Sequence, residues 1–197
     1  MEKSLINMLR ARKGNKTRAY VLIFAVILIS FFSGYLISYL FGIGMERETF
    51  IDLLNDQSYY PVVISLINNA NKSIHAMIFE IKYYKNYPNS STNELLRSLI
   101  KAKKRGIDVK IIMDELFSDN LAYNFLKNNG VDIRYEGKER VSHAKFIIID
   151  SKIVIVGSTN WSFYSLEKNR EANIIIRSPD IAERFEKYFF EIWKEGK

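Results

Sequence analysis

The sequence predicts an α/β domain, a mixed β-sheet flanked by helices, preceded by one N-terminal transmembrane helix. Three observations predict it. Residues 19–45 contain no charged side chain. From residue 61 onward, strand-like and helix-like segments alternate without repeats or low-complexity linkers. Two apolar runs flank the polar turn Asp150-Ser151-Lys152, which makes them an antiparallel pair and the sheet therefore mixed.

The apolar stretch comes first. At about 1.5 Å per residue, some 25 helical residues cross a bilayer core of roughly 30 Å with room for tilt. A cleavable signal peptide is the rival reading, but its apolar region runs about 7–15 residues and ends in a small-x-small site. This stretch is longer and has no clear site, so an uncleaved signal anchor is expected at 19–45. Residues 1–18 carry Lys3, Arg10, Arg12, Lys13, Lys16 and Arg18 against one acid, Glu2. The positive-inside tendency keeps this basic tail cytoplasmic and places a domain of residues 46–197 across a cell membrane, as a single-pass protein; an organelle anchor would instead leave the domain facing the cytosol. Ser30, Gly34, Ser38 and Gly42 recur every four residues, a stripe along which two such helices approach closely.

The remaining elements follow in order. Residues 61–71 are expected as a helix with Pro61 in its first turn, and 73–81 as a strand. A polar, tyrosine-rich loop covers 82–93. Ser91-x-x-Glu94 resembles a capping box opening a helix over 94–105, and Gly106 ends it. A strand at 107–113, a helix at 120–129 stopped by Gly130, and a short strand at 131–135 come next. The strand pair around the 150–152 turn follows, then a strand at 171–177 and an amphipathic helix at 179–194.

Composition narrows the chemistry. With no cysteine, thiol catalysis, disulfides and cysteine-ligated metals are excluded, and two histidines are too few for a histidine-rich metal site. No cofactor is expected. The formal charge is +7, but the first 18 residues hold +5 of it, so global basicity says little about what the domain binds.

Residues 142–162 read SHAKFIIIDSKIVIVGSTNWS. Within them His143, Lys145, Asp150, Gly157, Ser158 and Asn160 fit the pattern H-x-K-x4-D-x6-G-S-x-N. Residues two apart on a strand share a face, so His143 and Lys145 project together, and a hairpin returns Asn160 beside them. A histidine can attack phosphorus and form a phosphohistidine. Lys145 and the Asn160 amide would hold the non-bridging oxygens, Ser158 would add a hydroxyl, and Gly157 would permit close backbone approach. The alternative is a core hairpin with polar ends.

This segment resembles the signature of the phospholipase D superfamily, and the likeness extends over most of residues 56–197, including KAKKRGIDVKIIMDE at 101–115. Its nearest pattern is that of the single-motif members, the bacterial periplasmic endonucleases and the mitochondrial phospholipase D-like nucleases. The resemblance implies the phospholipase D/nuclease-like sandwich and a phosphodiesterase activity. It also implies that Glu171 orients the histidine and that Asp150 is mainly structural. The loop 82–93 is longer than in the compact bacterial nucleases, and the secreted ones lack the anchor.

A phosphohistidine mechanism also needs a group to protonate the leaving oxygen. His75, the other histidine, stands in a strand without a matching lysine and is expected to be structural. The resemblance implies instead a homodimer whose two copies of His143 line one shared active site about a two-fold axis. Three functions are compatible with these residues. One is a metal-independent nuclease, with Lys101, Lys103, Lys104, Arg105, Arg134, Lys138 and Arg140 tracking a nucleic-acid backbone and Tyr83, Tyr84 and Tyr87 stacking on bases. Another is a phospholipase D-type hydrolase of membrane phospholipids. The third is a non-catalytic membrane-tethered binding module.

Overall fold

A computed structural model describes residues 20–37, 39, 49–116, 120–136 and 141–197. The chain divides into two compact units, Met1–Glu46 and Arg47–Lys197. In the first, α1 (Tyr20–Ile37) is long and apolar enough to cross a membrane, with none of its residues buried by the protein. Ser30 and Gly34 lie in it; Ser38, Gly42 and the basic residues of 1–18 fall outside the described residues.

The second unit is built on a seven-stranded sheet of order β1-β7-β6-β5-β2-β3-β4. Its strands are β1 (Phe50–Leu53), β2 (Ser73–Ile78), β3 (Asp108–Met113), β4 (Asp132–Tyr135), β5 (Lys145–Ile149), β6 (Ile153–Gly157) and β7 (Asn173–Arg177). β2, β3 and β4 run parallel, joined through α3 (Ser91–Lys104) and α4 (Asn120–Asn128). The other pairings are antiparallel, so the sheet is mixed, as the sequence predicts.

Alternation sorts the two faces. Ile74, Ala76 and Ile78 of β2 and Ile147 and Ile149 of β5 face the larger core, where Val63 and Ile67 of α2 (Tyr59–Asn69) meet Leu95, Leu96 and Leu99 of α3. Met77, Phe146, Ile148 and Val154 face the other side and pack under Phe189 and Phe185 of α6 (Pro179–Glu195). Each such fully buried aliphatic side chain contributes roughly 1.5–3 kcal/mol of transfer free energy. Both faces of the sheet are thus covered.

Several local expectations shift. The cap of α3 is Ser90, whose side chain accepts from Asn93 N at 3.3 Å, one residue before the expected box. Glu94 instead accepts from the Tyr60 hydroxyl at 2.7 Å. Gly106 and Gly130 end their helices at φ 90° and 81°, where only glycine is free of strain. β1 and the five-residue α5 (Phe163–Glu167) were not anticipated. β1 is exposed at all four positions and shows no alternation, and α5 is too short to express a helical period.

Candidate active site

Four strand ends converge at one end of the sheet. Lys145, the first residue of β5, pairs with Ile78, the last of β2. Gly157, the last of β6, pairs with Asn173, the first of β7. Between β5 and β6 the chain turns at Asp150 and Ser151, both with positive φ (55° and 53°), and Lys152 N donates to Ile149 O at 3.0 Å. Positive φ at both central positions has the twist a tight hairpin needs. The hairpin therefore returns Gly157, Ser158 and Asn160 beside His143 and Lys145.

Phe79 joins the two signature side chains. Its N–H donates to Ala144 O at 3.0 Å, extending the β2–β5 ladder past the last paired residues. Its ring lies 4.4 Å from the His143 ring and 4.6 Å from the Lys145 ammonium. His143 precedes β5 and is exposed, whereas Lys145 is buried. Among the described residues, Lys145 Nζ donates one hydrogen bond, to His143 O at 2.8 Å. Burial pulls its ammonium below the usual lysine range, opposed by the carboxylates of Glu171 and Glu80. A desolvated cation with two N–H groups left over is suited to an anionic oxygen.

Glu171 is held from several sides. Its carboxylate accepts from Ser158 Oγ and from Asn169 Nδ2, the latter at 3.2 Å. Its backbone N–H donates to the Asp56 carboxylate at 2.8 Å and its carbonyl accepts from Asp56 N at 2.9 Å. Ser158, expected to face a phosphate, is thus bonded to Glu171, and its Oγ also accepts from Ala172 N at 3.0 Å. Asn160 is half-buried, and its Oδ1 is buried with no hydrogen-bond partner. This oxygen is an acceptor that a donor would satisfy, whereas the Asn160 amide nitrogen is the group able to donate to a phosphate oxygen. Gly157 serves the sheet rather than a ligand: a Cβ there would stand 2.3 Å from Ala172 O and 2.6 Å from Asn173 Cα.

Asp150 lies at the far end of the hairpin. Its carboxylate accepts from the backbone N–H groups of Asn71, Lys72 and Ser73 at 2.6–3.1 Å. Burial alone would raise its pKa, but these donors together hold it below the ordinary carboxylate range. It fastens the turn between α2 and β2 and touches none of the other signature side chains.

His75 lies on the opposite face. Its ring nitrogens meet Glu186 at 2.6 Å and Asp108 at 3.2 Å, and the ring stacks on Phe189. It cannot serve the His143 site. Among the described residues, several cations of the expected track have partners of their own. Lys103 pairs with Asp132 at 2.7 Å, Arg105 donates to Ile67 O, and Arg134 stacks on Trp193. Lys101 and Lys104 sit where α3 leads into β3 at Asp108, which pairs with Ser73 at the other end of the sheet from Lys145. Lys138 and Arg140 fall outside the described residues. Sequence reasoning missed Phe79, Asp56 and Asp114. The last, buried beyond the end of β3, accepts from Ser142 N at 3.2 Å and so fixes the approach to His143. The run KIIMDE contains it but carries no period that would single it out.

This fold defines the class: the chain belongs to the phospholipase D superfamily. It matches the family described as cardiolipin synthase, PLD-like domain, over residues 63–193. Among solved structures, it is similar to the phospholipase D family member Nuc from Salmonella typhimurium, with a TM-score of 0.67 and 29% identity over 76% of this chain and 97% of that one. NucT from Helicobacter pylori shares the fold, with a TM-score of 0.61 and 21% identity over 76% and 98%. The mitochondrial cardiolipin hydrolase of Danio rerio is 28% identical over 141 residues, 70% of this chain and 58% of that protein. The corresponding Mus musculus protein is 31% identical over 110 residues, 53% and 48%. The chain spans about half the length of the curated relatives it matches.

Proposed function

We propose that this protein is a membrane-anchored, metal-independent phosphodiesterase that works through a phosphohistidine on His143, and that it is a nuclease acting as a homodimer. Residues 1–18 form the cytoplasmic tail, 19–45 the anchor and 46–197 the catalytic domain, held outside the cytoplasm. The observation that carries the reading is the exposed His143 imidazole standing with the buried Lys145 ammonium, two of whose N–H groups are left over, on the one ring of Phe79. A ring nitrogen of His143 attacks phosphorus, forming a P–N bond as the bond to the leaving oxygen breaks. Lys145 and Asn160 hold the non-bridging oxygens, Ser158 and Asp150 act as supports, and Glu171 adds negative charge near the cation. Water then breaks the P–N bond and restores the imidazole.

The leaving oxygen needs a proton. The chain has two histidines, and His75 is locked between carboxylates on the other face. The family resemblance implies that a second imidazole comes from a second copy, the partner subunit's His143 giving the proton and later taking one from water. Similarity to Nuc along 97% of its chain, against 58% of the zebrafish hydrolase, favours nucleic acid as substrate. The apolar α1 and the cardiolipin hydrolase relatives favour the second reading, a phospholipase D-type hydrolase of membrane lipid.

The test uses the full chain in detergent micelles with a chelator present. It is offered single-stranded DNA, RNA, duplex DNA, cardiolipin and phosphatidylcholine. Cleavage of nucleic acid without lipid supports the nuclease; the reverse selects the lipid hydrolase. His143→Asn should abolish turnover, and unchanged activity would overturn the mechanism.

A further inference from the structure

The loop after β2 builds one wall of a cleft of about 710 Å³, with Tyr84, Tyr87 and Pro88 on that wall and Phe163 and Tyr164 opposite. The walls are tied rather than merely adjacent. Phe163 N donates to the Tyr84 hydroxyl at 3.1 Å. The buried Asn93 side chain accepts from Tyr84 N at 3.0 Å and donates to the carbonyls of Tyr84 and Tyr87 at 2.8 and 3.1 Å. Arg97 donates to Pro88 O at 2.5 Å. This framework holds two large rings in solvent, Tyr87 at 70% exposure and Tyr164 at 67%.

The cleft adjoins the candidate active site along the chain. Phe163 is three residues beyond Asn160, so at most about 11 Å of chain separates them. The intervening Trp161 is fully buried, bridges to Ile81, and is held by its N–H on Glu80 O and its carbonyl under Lys82 N. A span of at most about 11 Å corresponds to no more than about three nucleotides of a stacked strand at roughly 3.4 Å each. The chemistry of the walls selects the ligand. Four aromatic side chains line the cleft together with Pro88, Ser90 and the amides of Asn86 and Asn89. A base finds faces to stack on and amides for its edge. Lys168 stands over the Phe163 ring at 5.7 Å, adding positive charge for a phosphate backbone.

We infer that this cleft is a nucleobase subsite, taking an unpaired base of single-stranded nucleic acid one to three nucleotides from the phosphate held at His143, between Tyr87 and the Phe163–Tyr164 pair. The inference rests on the nuclease reading and specifies which form of nucleic acid enters.

The experiment measures binding of single-stranded oligonucleotides to the full chain in detergent micelles, carrying His143→Asn so that the ligand stays intact. Tyr87→Ala and Tyr164→Ala, both at exposed positions, should each weaken binding roughly 5- to 150-fold, the range of base–aromatic stacking. An oligonucleotide scanned with single abasic residues should show one position of comparable loss, and that loss should vanish in Tyr87→Ala. Unchanged binding in both variants, or no sensitive abasic position, overturns the subsite. Equal affinity for duplex and single strand overturns it as well. The two readings fail separately. Single-strand binding that needs Tyr87, without cleavage by the unsubstituted chain, sinks the nuclease and keeps the subsite. Cleavage with unaffected variants does the opposite.

Discussion

The ring of His143 rests on the ring of Phe79, centroids 4.4 Å apart and planes tilted by 56°. Phe79 is therefore the surface that fixes where the imidazole points, and it does the same for the Lys145 ammonium. Phe79→Ala should lower kcat on any substrate by about 10²-fold, the cost of an ångström-scale misplacement, while leaving the fold intact. Phe79→Leu should recover part of the loss. Steady-state kinetics checked against a melting curve separates this from unfolding.

Gly157→Ala places a methyl group against the backbone of the neighbouring strand, where no side chain can rotate away. A destabilisation of about 1–3 kcal/mol is expected from overpacking of this kind. Because β6 and β7 carry Ser158 and Glu171 at that same end, activity should fall along with stability. Urea unfolding and turnover measured on one preparation test both.

Asp150→Asn removes the charge that three successive amides share. Loss of these bonds should cost on the order of 1–3 kcal/mol. The native carboxyl is depressed, so its contribution is present above the unfolded pKa near 3.9 and is lost as pH falls through the lower folded value. The wild-type protein should lose this increment on acidification below pH 4, and Asp150→Asn should show less acid sensitivity there. Thermal melts from pH 2.5 to pH 7 provide the comparison.

Glu136 behaves oppositely. Burial, then the charges of Asp114 and Glu195, push its carboxyl up to about 7. A raised folded pKa means that stability is fully present below about 4.5 and is lost as pH rises through about 7. Glu136→Gln should flatten that decline and raise the melting temperature at pH 8 while changing little at pH 4. A pH-independent difference between the two proteins would contradict the assignment.

The sheet was legible because β2, β3, β5 and β6 are apolar runs bounded by turn residues, and Gly106 and Gly130 mark helix ends that propensity alone predicts. That H-x-K and G-S-x-N come side by side was legible because they open and close one hairpin in the sequence and so meet at its open end. Partnerships were not legible. That Ser158 would bond Glu171, or that Asp56 would clasp the backbone of Glu171 from 115 residues away, depends on which strand becomes whose neighbour. Arg105 and Arg134 look free in a charge count, yet both are fixed by carbonyls and a ring that come from other elements.

The placement of the two histidines has a spectroscopic consequence. One is buried between sheet and α6, and the other is exposed at the end of the hairpin, with the full thickness of the sheet between their faces. An imidazole NMR spectrum of this protein should therefore contain two sets of signals in unlike surroundings. The His75 set reports whether α6 is docked, and the His143 set reports what occupies the site. Unfolding and ligand binding can be followed in one sample without any introduced label.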